Sequence, residues 1–152
     1  MSKNEFSEEQ FYQSVWKNDS NFQKRFFKNF AALTYEQQKR YDFGRSLNDG
    51  SQLAHFAAWN NNSDLMNFLI DQNIKVDGPN DDGVTPLMIM CFQISKCSDL
   101  LDKVIEHTKN PNSADKKGFT IIHYAALNDN SCILQRLLTV PGIDIMKKTK
   151  TG

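Results

Sequence analysis

From Leu53 onward the apolar residues come in paired runs divided by polar turns. Leu53 to Ala58 and Leu65 to Ile70 form the first pair, Leu87 to Cys91 and Leu100 to Ile105 the second, and Ile121 to Ala126 and Ile133 to Leu138 the third. Each run has the length and spacing of a short helix. The first 46 residues lack this pairing but also read as helical. Ser7 and Gln10 form a capping box inside a Phe6–Phe11 hydrophobic staple, and Phe11, Tyr12, Val15 and Trp16 then recur on one helical face. Phe22, Phe26, Phe27, Phe30 and Leu33 make a second stripe; Thr34 and Gln37 mark a third start, and Gly44 a stop. The pattern predicts an all-α chain.

The pairs are copies of one another. Gly50-Ser51-Gln52-Leu53-Ala54-His55-Phe56-Ala57-Ala58, Gly83-Val84-Thr85-Pro86-Leu87-Met88-Ile89-Met90-Cys91 and Gly118-Phe119-Thr120-Ile121-Ile122-His123-Tyr124-Ala125-Ala126 align at spacings of 33 and 35 residues. Ser63, Ser98 and Ser131 stand where they would cap the second helices, and two extra residues of the middle copy fall between its helices. These segments resemble the ankyrin repeat, a hairpin turn followed by a helix beginning Thr-Pro-Leu-His and a second antiparallel helix. The middle copy carries Thr85-Pro86-Leu87, the outer two keep the His and both Ala, and Val76-Asp77 and Asn112 with Asp115 fit the hairpin run. The resemblance covers roughly residues 44–152 and implies an ankyrin-like solenoid behind an N-terminal helical cap. The expected division is residues 1–46 as the cap and 47–152 as repeats (about 47–79, 80–114 and 115–148), with a fourth unit starting at Gly142-Ile143-Asp144-Ile145. Gln52-Leu53 in place of Thr-Pro makes the first turn atypical, and Met90-Cys91 in place of paired alanines predicts a wider or repacked contact.

A stack leaves its first apolar face open, so the N-terminal helices are read as its cover. The competing reading makes them a separate recognition element, with Lys24, Arg25 and Lys28 on its exposed side.

Candidate chemistry changes the picture little. His55 and His123 hold the same place in two repeats, where the middle one has Met88. Helices packed roughly 8–10 Å apart put two repeat steps near 20 Å, too far for both to ligate one metal ion. The resemblance has this histidine bonding to backbone in adjacent turns. His107, ending the second helix of the middle unit, suits the helix dipole. Cys91 takes a small buried position, Cys97 falls in the insertion, and Cys132 follows a helix cap, where a thiol pKa is lowered. Three widely spread cysteines make a poor disulfide framework and predict a reducing compartment. No phosphate loop, HExxH pair, CxxC pair or Gly-x-Ser-x-Gly elbow is present, so no catalytic, metal or cofactor site is expected.

Composition agrees with a folded domain. The 152 residues contain 39% hydrophobic and 24% charged side chains, and eighteen Lys+Arg balance eighteen Asp+Glu. A net charge of zero removes the electrostatic motive for nucleic-acid binding. No apolar run approaches the roughly 18–20 residues that span a bilayer, and no secretory signal opens the chain. The sequence therefore predicts a monomer acting in the cytoplasm, or in a host cytosol for a secreted effector. The charge is unevenly spread: residues 42–82 sum to −5 and residues 109–152 to +4.

The resemblance turns the ninth residue after each glycine toward a concave groove: Trp59, Phe92 and Leu127, flanked by Asn60, Gln93 and Asn128. Aromatic anchors among amides suit a partner protein; the alternative packs Trp59 under the N-terminal helices. Asp49, Asp81 and Asp82 at the early hairpin tips, and Lys116, Lys117, Lys147, Lys148 and Lys150 at the later ones, would orient a partner along one edge. The expected function is non-catalytic protein recognition through groove and tips. The alternative is an adaptor or targeting fragment of a larger enzyme, or of a secreted effector acting on host proteins, since Gly152 falls where a further repeat would begin.

Overall fold

The computed structural model describes residues 6–94 and 97–152, and every regular element among them is helical. Helices α1 (Glu8–Trp16), α2 (Ser20–Ala31) and α3 (Tyr35–Gln38) precede three antiparallel pairs. The pairs are α4 (Leu53–Trp59) with α5 (Ser63–Asp71), α6 (Pro86–Gln93) with α7 (Asp99–Glu106), and α8 (Ile121–Leu127) with α9 (Ser131–Leu138). The first helix of each pair packs on the first helix of the next, α4 on α6 and α6 on α8, so the pairs form successive layers.

The hairpins between pairs set the register. Within each, the glycine amide closes a turn: Gly50 onto the Leu47 carbonyl, Gly83 onto Asn80 and Gly118 onto Asp115. Between them, each tip donates one backbone bond to the tip before it: Asp81 to the Asp49 carbonyl (2.9 Å), Lys116 to Asp82 (2.8 Å) and Lys150 to Lys117 (3.0 Å). The loops leading into the hairpins are tied likewise. Lys109 N–H donates to Asp77, and Asn112 accepts from Asp144 N–H and donates to the Gly142 carbonyl. The fourth hairpin is thus joined to the third layer.

The middle and last first-helices start on threonines with extended backbone, Thr85 and Thr120, and Pro86 fills the position where no N–H is needed. In the first repeat Gln52 takes the same extended conformation, but its Oε1 is buried and finds no hydrogen-bond partner among the described residues. Two of the three expected serine caps move by one residue. Asn62 and Asn130 cap α5 and α9, each accepting from the amide three residues on, and Ser63 and Ser131 become the first helical residues. Asparagine serves because its carbonyl reaches that amide as a serine hydroxyl does. Asn130 also donates to the Ile94 carbonyl (2.5 Å), which couples it to the layer before. Ser98 caps α7 as expected; Ser95 and Lys96 of the inserted stretch lie outside the described residues.

Ala57, Ala58, Ala125, Met90 and Cys91 are enclosed, so the middle unit fills with methionine and cysteine the space its neighbours leave to alanine. Ala126 is exposed; among the described residues no further helix packs on α8 as α8 packs on α6.

Helix α1 lies against α4, and α2 against α5. The expected Ser7–Gln10 capping box forms, and the third start at Thr34 proves to be a capping box with Gln37, although α3 closes after one turn rather than running to Gly44. Phe11, Phe26, Phe30 and Phe43 cluster around Phe68 of α5, whose ring stacks on Phe27 at 4.4 Å. Phe6 packs edge-on to Phe22. Buried Gln23 accepts from Asn62 (2.8 Å) and donates to the Ser14 carbonyl, tying α1, α2 and the first repeat together. Lys24 pairs with Asp64 of α5 at 3.5 Å. One stripe residue is displaced: Trp16, placed on the buried face by its spacing, is 71% exposed at the end of α1.

Gly118 has φ +88°, and a Cβ there would lie 2.8 Å from the Lys150 nitrogen. Left-handed backbone alone costs a side chain roughly 1–2 kcal/mol. Gly118→Ala is expected to lower unfolding free energy by about 1–3 kcal/mol in urea titration. Gly44→Ala, where the nearest atom is 3.6 Å away and the backbone is ordinary, is expected to change it by less than about 0.5 kcal/mol.

Candidate functional site

Trp59, Phe92 and Leu127 sit at the C-terminal ends of α4, α6 and α8, one per layer, with exposures of 60%, 46% and 62%. The alternative that buries Trp59 under the N-terminal helices is therefore set aside. Phe92 leans edge-on toward Tyr124 of the next layer, ring centres 6.4 Å apart. Gln93 and Asn128 are exposed and Asn60 half-buried; the Asn128 amide also reaches back toward the Ile94 carbonyl at 3.5 Å. At the tips, Asp49, Asp81, Asp82, Lys116 and Lys117 hold their backbones in the inter-tip ladder and leave their side chains in solvent. Among the described residues none of these five side chains lies within 4 Å of an opposite charge.

The histidines do structural work. His55 and His123 occupy the third position of α4 and α8, and the Nδ1 of each accepts from the N-cap backbone, Gln52 at 3.0 Å and Thr120 at 3.1 Å. Met88 holds the same place in α6, and its sulfur faces the Thr85 N–H at 3.4 Å. Because Gln52 donates to Nδ1, the His55 proton sits on Nε2, which donates to the Val84 carbonyl of the next hairpin at 3.0 Å. Burial lowers the His55 pKa, partly offset by its bonds to Val84 and Gln52. A neutral folded His55 costs nothing above its unfolded pKa of about 6.5; as pH falls through that value the unfolded chain gains the proton first and stability is lost. The stability difference between the protein and its His55→Met variant is expected to be flat above about pH 7 and to move against the histidine form below about pH 6.5. Denaturant titrations across that range check the sign.

The cysteines require a correction. Cys97 and Cys132 are joined in a disulfide, with Cα atoms 6.0 Å apart. Stacking places the loop before α7 beside the first turn of α9, so an exposed thiol in the insertion meets one at the helix start. The reading of three unpaired thiols fails, and so does its argument for a reducing compartment. Cys91 is the one free thiol among the described residues; it is buried, and burial pushes it up to about 12, far from a nucleophile's range. Intact-mass measurement without reductant is expected to find the chain lighter by two hydrogens, with Cys91 alkylated only after unfolding; three alkylatable thiols would contradict the bridge.

No group of three or more metal-ligating side chains occurs among the described residues. A cleft of about 360 Å³ opens between the end of α1 and the first two layers. Trp16, Phe56, Trp59 and Ile89 form its apolar walls, and Asp49 and Asn80 its polar edge. Trp16 and Phe56 have ring centres 5.4 Å apart. Ser51 donates to Asp49 through both its backbone N–H and its hydroxyl (3.0 Å each), and these bonds lower the Asp49 pKa. Trp16 was missed as a surface residue because helical spacing cannot tell the core face from its margin; Asn18, left-handed at φ 51° just past the end of α1, is the sequence signal that the helix stops there.

The family described as ankyrin repeats, in three copies, matches residues 54–149.

Proposed function

The chain belongs to the ankyrin-repeat family, whose domains are typically protein-interaction modules and generally non-catalytic, and from that premise we propose that it binds a partner protein through its groove and hairpin tips without catalysing a reaction. The observation that supports this most is the row of Trp59, Phe92 and Leu127, three large apolar side chains left in solvent at one position of three layers. Exposed apolar side chains rimmed by polar residues are the surface pattern of protein–protein contact sites. Asn60, Gln93 and Asn128 provide the hydrogen-bonding flank, while Asp81, Asp82, Lys116 and Lys117 give the rim opposite charges at its two ends. Residues 1–46 serve as the cap that covers the first layer, and the domain acts as a monomer. No helix among the described residues is long and apolar enough to cross a membrane. Action in the cytoplasm, or in a host cytosol, stays within this proposal for a chain whose Cys97–Cys132 pair meets a reducing thiol pool there.

The test is a double variant, Trp59→Ala with Phe92→Ala. Its melting temperature is expected to stay within a few degrees of the parent, because both side chains are solvent-facing. Partners recovered in a quantitative pull-down are expected to fall at least about tenfold, the scale of losing one anchor residue. Unfolding of the variant, or unchanged recovery, would remove the groove as the binding face.

A further inference from the structure

The cleft beside Trp16 has a chemistry of its own. Two indoles that are 71% and 60% exposed stand at its mouth, with Phe56 and Ile89 as apolar walls between them. A carboxylate, Asp49, closes one edge, oriented by two bonds from Ser51. Asp81, bonded to the Asp49 carbonyl through its backbone, adds a second negative charge beside the same turn. Among the described residues no cation lies within 4 Å of either carboxylate. Arg45, within four residues of Asp49, is already held between Glu8 and Glu9 and lies over the Tyr12 ring at 3.9 Å. The surrounding segment, residues 42–82, carries a net −5.

Building on the groove reading above, we infer that this cleft takes an arginine side chain, next to an apolar residue, from an extended segment of the partner protein. The aliphatic stem and planar guanidinium of arginine match a site whose walls are indole faces and whose edge is a carboxylate. Its cation is attracted by the aromatic quadrupoles, and its fork of donors suits Asp49. Lysine satisfies the charge but neither stacks nor forks. A purely apolar occupant leaves Asp49 and Asp81 unanswered, and a nucleic-acid strand, which stacks on tryptophan, brings phosphates toward them. The cleft volume admits one long side chain and part of its neighbour, so the rest of the segment runs along Phe92 and Leu127.

Selection of a random peptide library displayed on phage, against the full chain, tests this directly. Enriched sequences are expected to share an arginine beside an apolar residue. The best peptide, resynthesised with a fluorescent label, is expected to lose at least about tenfold in affinity on Trp16→Ala and about five- to tenfold on Asp49→Asn. It is also expected to weaken as salt is raised. Asp49→Asn keeps an acceptor for Ser51, so it alters charge with little change in the turn. Enrichment of peptides without a cationic residue, no enrichment at all, or affinities unmoved by both changes would overturn the inference. Binding that depends on Phe92 and Leu127 but not on Trp16 or Asp49 overturns it while leaving the groove reading intact. Binding indifferent to Trp59, Phe92 and Leu127 sinks the groove reading itself.

Discussion

A two-helix layer of this chain has apolar side chains on both of its broad faces and cannot bury them alone, so each layer depends on the next one lying in register. That register is carried by the hairpin tips. One backbone bond runs from each tip to the tip before it, and a glycine with positive φ lets adjacent tips approach closely. A side chain at Gly50, Gly83 or Gly118 would meet the neighbouring tip's backbone at 2.7 to 3.0 Å. Helix packing then follows: Leu53, Pro86 and Ile121 fall on one line, and His55, Met88 and His123 on another, because the tips have already fixed the step. At the N-terminal end the same need is met by a different device, a cluster of phenylalanines closed around Phe68.

The same constraint explains why the reactive residue types in this chain are quiet. His55 is held between its own N-cap and the following hairpin, Cys91 fills the space of an alanine, and Cys97 and Cys132 consume each other. What the stack does not use lies on its margin: the ends of the first helices, the tip charges and the last residue of α1. A row of one residue per layer is the natural output of a repeated unit.

Much of this was legible in the residues. The glycine spacing revealed the layers, and the shared place of His55, Met88 and His123 held in three dimensions, each side chain turned onto its own N-cap backbone. Where the reading failed, the reasons are local or tertiary. Serine and asparagine cap equally well, so adjacent Asn62-Ser63 and Asn130-Ser131 cannot be ranked without the helix geometry. Trp16 has the right spacing for the core, but α1 ends on it. The disulfide escaped because cysteine counting treats the chain as a line. Cys97 and Cys132 are 35 residues apart, the same interval as Gly83 to Gly118, so a stack brings them to neighbouring layers. The partner-facing role of any exposed residue is not written in spacing at all, since solvent and a binding partner select the same outward direction.

Hydrogen exchange at the tips measures the register most directly. The amides of Asp81, Lys116 and Lys150 lie on exposed hairpins and would exchange freely in separate layers, yet each donates to the preceding tip. Stacking in register predicts exchange slowed at least about tenfold from free-chain rates at all three, with Asp81 and Lys116 slowest and Lys150 less protected at the last hairpin. Free-chain exchange at Asp81 and Lys116, in a protein whose helices remain protected, would contradict the ladder and the row of groove residues that depends on it.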